Sequence, residues 1–203
     1  MYKTVLKATA ICVFVIACAG FSANITVGAT GGNTAITLPQ PDKSGGMPLM
    51  QAMNERRSNR SISSEALGEA ELSNLLWSAW GINRPDGRRT IPTARNQQQI
   101  NLYVALESGV WLYDAKNNTL QRVLETDARA KFGGAPVHLV YTAPDDAFSL
   151  MHVGSMYQNV GLYCASAGLA NVVKANGTDV LANSLPLPAG YKIHIIHSVG
   201  KPG

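Results

Sequence analysis

Three guanidinium groups and a hydroxyl fall within five residues, Arg56, Arg57, Ser58, Asn59 and Arg60. Guanidinium forks in such a cluster present the planar, multi-donor surroundings that phosphate oxygens accept. At the end of a helix the same cations would complement the negative pole of the dipole in plain solvent, and the run alone does not decide between the two. A second polar stretch runs through Arg88, Arg89, Thr90, Ile91, Pro92, Thr93, Ala94, Arg95, Asn96, Gln97 and Gln98, after Trp80, Gly81, Ile82 and Asn83. Its amides and hydroxyls suit a polar heterocycle or a sugar-like chain; the bland alternative is a surface loop.

Other residue types carry less. Cys164 lies in an apolar helical run and reads as a packed small hydrophobe rather than a nucleophile. His138, His152, His194 and His197 show no ligand-like spacing, and His194 and His197, three apart on a strand, face opposite sides, so no metal site is expected. Asp145 and Asp146 after Pro144 read as a helix cap rather than a catalytic pair. Trp77, Trp80 and Trp111 read as core or subunit contacts.

The elements that must position these residues follow from periodicity. Pro48 opens a first helix whose Leu49, Met50, Met53 and Arg56/Arg57 keep helical spacing up to Ser58. A second helix spans Glu69 to Trp80 and stops at Gly81. Asn101 to Leu106 and Gly109 to Asp114 are strand-like runs, the latter joined by a hairpin to Leu120 to Leu124. Val137 to Thr142 is a further strand. Ser149 to Ala167 is the longest helix and ends at Gly168, after which Ala170 to Lys174 and Lys192 to Val199 return to strand. The sum is an α+β domain without internal repeats.

In order and spacing these pieces resemble the FMN-dependent nitroreductase family over about Met47 to Pro202. The resemblance is carried by the 56 to 60 run, by Leu72 through Gly81, by Pro92 through Gln98, by the helix 154 to 169 with Gln158 and Asn159, and by the tail His197 to Pro202. The segment Trp77 to Gly87 looks closest to the branch related to azoline-forming dehydrogenases. The resemblance implies a mainly antiparallel, mixed sheet flanked by helices in an interlocked homodimer. It implies that Arg56, Ser58 and Arg60, with Arg57 beside them, hold the FMN phosphate and reach toward the ring. Pro92, Thr93, Ala94, Asn96 and Gln98, contributed by the other subunit, would meet ribityl and ring edge. Val173, Lys174 and Ala175, with Asn176, would lie near flavin N5, where a positioned N–H donor favours reduction. Three positions depart from the family: Lys201 stands alone as the cation after the final strand, Thr93-Ala94 replaces Ser-Ser, and Val173-Lys174-Ala175 replaces Pro-x-Gly. A substrate-capping insertion is missing, which implies an open or peptide-sized pocket.

Length and composition set the frame. The 203 residues are 46% hydrophobic and 15% charged, with mean hydropathy +0.01, which fits one globular domain and excludes disordered or collagen-like classes. Lys3 and Lys7 before the apolar run Ala8 to Ala19 read as an export signal over residues 1 to 23. Ala17-Cys18-Ala19 fits a small-x-small cleavage site, while Val15 to Cys18 resembles a lipobox that would lipidate Cys18 and attach the protein to a membrane. Residues 24 to 46, rich in Gly, Thr, Pro and Asn, read as a flexible tether, and 47 to 203 as the folded domain. The net charge of +4 falls to +2 without the signal, and no basic run supports nucleic acid as a partner. The expected protein is an exported, periplasmic or envelope homodimer binding FMN. It would transfer hydride from NAD(P)H or an envelope electron donor to a small nitroaromatic- or quinone-like acceptor. The alternative is a non-catalytic envelope binding module that keeps the fold.

Overall fold

The computed structural model describes residues 34–176 and 178–203; the expected export signal and Cys18 lie outside them. Seven strands form one sheet: β1 (Ala35–Thr37), β2 (Asn101–Leu106), β3 (Gly109–Asp114), β4 (Thr119–Leu124), β5 (Val137–Pro144), β6 (Ala170–Lys174) and β7 (Tyr191–Gly200). Their order is β1-β4-β3-β2-β5-β7-β6, and all six pairings are antiparallel. Three helices accompany them, α1 (Leu49–Glu55), α2 (Glu69–Trp80) and α3 (Ala147–Ala167). This is the α+β class read from the sequence, at the antiparallel extreme.

Alternation along the strands builds two cores. In β2, Leu102 and Val104 join a cluster with Leu75, Leu76, Ala79, Met156 and Val160 of α2 and α3. Their neighbours Tyr103 and Ala105 join Phe132, Leu181, Leu185 and Ile196 on the opposite face, as the period of two requires. Both faces are therefore covered, which accounts for the nearly unbroken burial of β2 and β5.

Helix ends follow local chemistry. The Asp146 side chain accepts from the Ser149 amide at 2.8 Å and starts α3. Gly168, at φ 68°, ends it in the left-handed region, and the Leu169 amide donates back to the Cys164 carbonyl at 2.8 Å. Gly81 ends α2 for a different reason. Its φ is −66°, but a Cβ there would stand 2.2 Å from Trp77 Cδ1 and 2.5 Å from the Trp77 carbonyl oxygen.

The expected tether over 24 to 46 is corrected across its described part. Ala35, Ile36 and Thr37 pair with Gln121, Leu120 and Thr119 of β4, and Leu38 is buried. The Pro39 carbonyl accepts from Ser73 Oγ at 2.6 Å and Asn118 Nδ2 at 2.8 Å, and the Asp42 amide donates to Asn74 Oδ1 at 2.8 Å. Main-chain pairing needs no hydrophobic pattern, so a Gly/Thr-rich segment can satisfy the open edge of β4.

Candidate functional site

The arginine run stands off the helix that was expected to carry it as far as Ser58. Helix α1 stops at Glu55, and Arg56 already has extended backbone at φ −56° and ψ 119°. The pull comes from the sheet: the Asn59 amide donates to the Asn171 carbonyl of β6 at 2.8 Å, the Ser63 amide donates to the Lys201 carbonyl at 2.9 Å, and Ile62 bridges Pro202. Extended backbone makes these bonds and helical backbone does not. Arg56 lays its stem against α3, where a Cβ on Gly161 would meet Arg56 Cγ and Cδ at 3.4 Å.

Beside this segment opens a cleft of about 520 Å³, walled by Arg56, Arg57, Asn59, Asn171 and Pro202 among others. That volume is in the range of small-molecule sites. Glu55 also lines the cleft, its carboxylate accepting from Gln51 Nε2 at 2.8 Å; among the described residues neither Arg56, Arg57 nor Arg60 makes an ion pair, so two guanidinium groups face the cleft beside one carboxylate. Ser58 and Arg60 are exposed on the same segment but are not part of the wall. Lys201 is directed elsewhere: its ammonium meets Glu65 Oε1 at 2.5 Å, and that carboxylate raises its pKa. Lys174 likewise donates to the Phe132 carbonyl at 2.5 Å. Val173, Lys174 and Ala175 run along and past the end of β6, away from the cleft wall.

The second polar stretch forms a tight turn between two buried anchors, Ile91 and Ile100. A 3₁₀ turn spans Ala94–Asn96. Arg95, Asn96 and Gln98 take φ values of 53°, 55° and 49°, the left-handed region that side chains with a Cβ disfavour. Non-local bonds hold this shape. Arg89 stacks its guanidinium 4.3 Å from the Trp80 ring centre and donates to the Trp80 carbonyl at 2.9 Å and to Gln98 Oε1 at 2.8 Å. Gln98 Nε2 passes the chain on to Asn96 Oδ1 at 2.9 Å and the Gly87 carbonyl at 3.2 Å. From the other side the Ala94 amide donates to Nε2 of His152, on α3, at 2.7 Å. From sequence Arg89 reads as one more residue of the polar stretch and His152 as a histidine without ligand spacing; their holding role is missed, because nothing local marks residues that fix a turn 9 or 58 positions away.

The arginine run and this turn both rest on α3, at Gly161 and His152. Nine residues are two and a half turns, so these two positions face opposite sides of the helix and stand about 13 Å apart along it. Within one protomer the two stretches do not close on each other.

Large apolar side chains lie exposed on α1 and the outer side of α3, with Met50 75%, Met151 66% and Leu49 60% accessible. Met156, on the same helix as Met151, belongs instead to the protomer's own core at 0%. Its position in the helical period turns it toward Leu75 and Tyr141 rather than outward.

Several buried polar groups sit near the cleft. His197 Nε2 lies 3.0 Å from Asn171 Oδ1, which only accepts, so this nitrogen carries the hydrogen, and Nδ1 accepts from the Tyr141 hydroxyl at 3.1 Å. Burial pushes His197 down to about 3. His138, bonded through Nδ1 to Ser198 Oγ at 2.9 Å, is pushed down to about 4, by burial first and then by Lys174 and Arg129. Burial also raises the Cys164 thiol far out of its ordinary range, so it stays protonated.

A family model described as the nitroreductase family matches residues 53–201. Among solved structures, a Ralstonia eutropha JMP134 protein assigned to the nitroreductases is 34% identical, with TM-score 0.79 over 86% of this chain and 93% of its own. A chain of the E. coli microcin synthetase McbBCD complex with truncated pro-MccB17 bound is 21% identical, with TM-score 0.64 over 83% of this chain and 78% of its own. A Bacteroides fragilis nitroreductase with bound FMN is 13% identical, with TM-score 0.54 over 76% of this chain and 88% of its own. The last two likenesses show the fold alone.

Proposed function

The chain belongs to the nitroreductase family, and on that premise we propose that it is an FMN-dependent oxidoreductase working as a homodimer. Family membership supports an oxidoreductase; the cofactor, the dimer and the residue roles are our reading. The observation that carries it is the cleft in which Arg56 and Arg57 stand beside Glu55 and, among the described residues, make no ion pair. Unpaired cations on a wall of about 520 Å³ fit the phosphate end of a nucleotide.

FMN, when bound, supplies hydride transfer in two alternating half-reactions, reduction by a donor and oxidation by a small nitroaromatic- or quinone-like acceptor. The protein's part is binding and orientation. Arg56 and Arg57, with Ser58 and Arg60 from the same segment, hold the phosphate. Pro92, Thr93, Ala94, Asn96 and Gln98 come from the other copy to face the polar side chain and ring edge. This division is supported by the opposite seating of the two stretches on α3. The exposed Leu49, Met50 and Met151 supply the apolar surface that a second copy covers. Val173 to Ala175 are the segment from which a backbone N–H would face the reacting nitrogen.

The lysine-flanked apolar N-terminus supports export, with Cys18 as a lipid attachment point. The electron donor is NAD(P)H or, in the envelope, a quinol or protein donor. Purification with an absorption spectrum tests the central reading. Bound flavin, and its bleaching by NAD(P)H or a quinol, is the expected result. A colourless protein that does not take up added FMN would overturn it in favour of a non-catalytic binding module.

A further inference from the structure

We propose that His152, in its neutral form, is the positioning residue that keeps the 93–98 turn in its ligand-ready shape, so that flavin retention weakens when the ring takes a proton. This rests on the reading that the turn faces FMN. The geometry is one-directional. Ala94 offers a backbone N–H, which only donates, at 2.7 Å from His152 Nε2. An acceptor nitrogen exists on the neutral ring alone, with the hydrogen on Nδ1; the imidazolium donates from both nitrogens and would confront the amide hydrogen.

The turn has reason to depend on this bond. Arg95, Asn96 and Gln98 sit in the left-handed region, a conformation that persists only where surrounding contacts over-determine it. Among the described residues, the Ala94–His152 bond is the one hydrogen bond between residues 93–98 and α3. On its opposite side the turn is held through Arg89 and Gln98. Losing this bond leaves the Asn159 side-chain amide, which donates to the Thr90 carbonyl at 3.3 Å, as the tie from α3 to the start of the stretch, and releases the strained residues of the turn itself.

The surroundings favour the neutral ring. His152 is 5% accessible, and burial lowers its pKa from the ordinary 6.5, against an opposing pull from Asp146 at the start of α3. The turn packed against it brings no carboxylate and one cation, the exposed Arg95. The bond is therefore intact at pH 7 and lost as pH falls below 6.5 and through the lowered folded value.

The test compares the full-length wild type with His152→Gln and His152→Leu. FMN affinity is read by flavin fluorescence titration in steps from about pH 8 downward through the acid range in which the fold persists, and Ala94 amide protection is read by NMR. Gln offers an acceptor at every pH; Leu offers none. On acidification the wild type should lose about tenfold more affinity than His152→Gln, with a lower Ala94 protection factor (exchange relative to the free amide at the same pH), as expected for one hydrogen bond. His152→Gln should show only the loss common to all three proteins as the FMN phosphate takes its own proton at about pH 6, and His152→Leu should bind about tenfold more weakly than the wild type at about pH 8. His138 and His197 are present in all three proteins, so their titration does not separate the variants. FMN bound equally by wild type and His152→Leu at about pH 8, or an acid loss in His152→Gln as large as in the wild type, overturns the proposal and leaves the functional reading standing. Failure of the wild type to bind FMN at any of these pH values overturns both.

Discussion

The Asn59 amide donates to the Asn171 carbonyl at 2.8 Å, and that bond fixes where the arginine cluster stands. It ties the segment after α1 to the end strand of the sheet and turns Arg56 and Arg57 toward the cleft. The Asn171 side chain meanwhile accepts from buried His197, so one residue joins the cleft wall to the core.

Removing the arginines should separate the phosphate grip from the rest of the protein. The double change Arg56→Ala and Arg60→Ala should weaken FMN binding by several kcal/mol, since each charge-assisted contact is worth about 1.5 to 3. Lys201→Ala should leave affinity nearly unchanged, because that ammonium already faces Glu65, and should leave stability nearly unchanged, because the pair is exposed. Fluorescence titration reads the first and chemical denaturation the second. Unaltered affinity in the double variant would reject the phosphate assignment.

Acid should unfold the domain through its buried histidines. His138 and His197 have folded values near 4 and 3, below the ordinary 6.5. Between those values and 6.5 the unfolded chain binds protons that the folded chain refuses. Stability is therefore full above 6.5 and falls as pH drops through the window, by about 1.4 kcal/mol per pH unit for each ring. Melting temperatures across pH 3 to 8 check this; a flat profile would mean that neither ring is held neutral.

The contact of Gly81 with Trp77 should tolerate no methyl group. Gly81→Ala would put a carbon 2.2 Å from the indole and 2.5 Å from a backbone oxygen. A loss of about 1 to 3 kcal/mol in urea unfolding is expected from the overpacking. Since φ there is ordinary, at −66°, the cost is steric, and trimming Trp77 in the same chain should recover part of it.

Charging the apolar outer surface should leave a folded monomer that no longer keeps flavin. Met50→Lys with Met151→Glu places charges on side chains 75% and 66% exposed in the protomer, so the fold has little to lose. Light scattering should show half the mass of the wild type, and the purified protein should be pale. A dimer of unchanged mass would place the subunit contact elsewhere.

Much of the fold was readable because its signals are local. Asp146 and Gly168 bracket α3 within their own turns, and short apolar runs rich in β-branched and aromatic residues gave β2 and β5. The arginine run was visible as chemistry, yet its departure from the helix was not, since the cause is Asn171, 112 positions on. The turn at 93–98 was visible as polar composition, while its holders, Arg89 and His152, act across sequence gaps that no short motif spans. β1 was missed for a simpler reason: an edge strand is chosen by the vacancy beside it, and Ala35, Ile36 and Thr37 carry little pattern of their own.

That edge strand makes the domain's solubility depend on an order of events. Ala35 pairs with Gln121, 86 positions away, so the chain must first complete the β3–β4 hairpin before its own beginning can dock. Until then β4 offers bare amides and carbonyls to any other strand nearby. A protein shortened to begin at Met47 would remain permanently in that state, inviting fibrils where the intact chain is sealed.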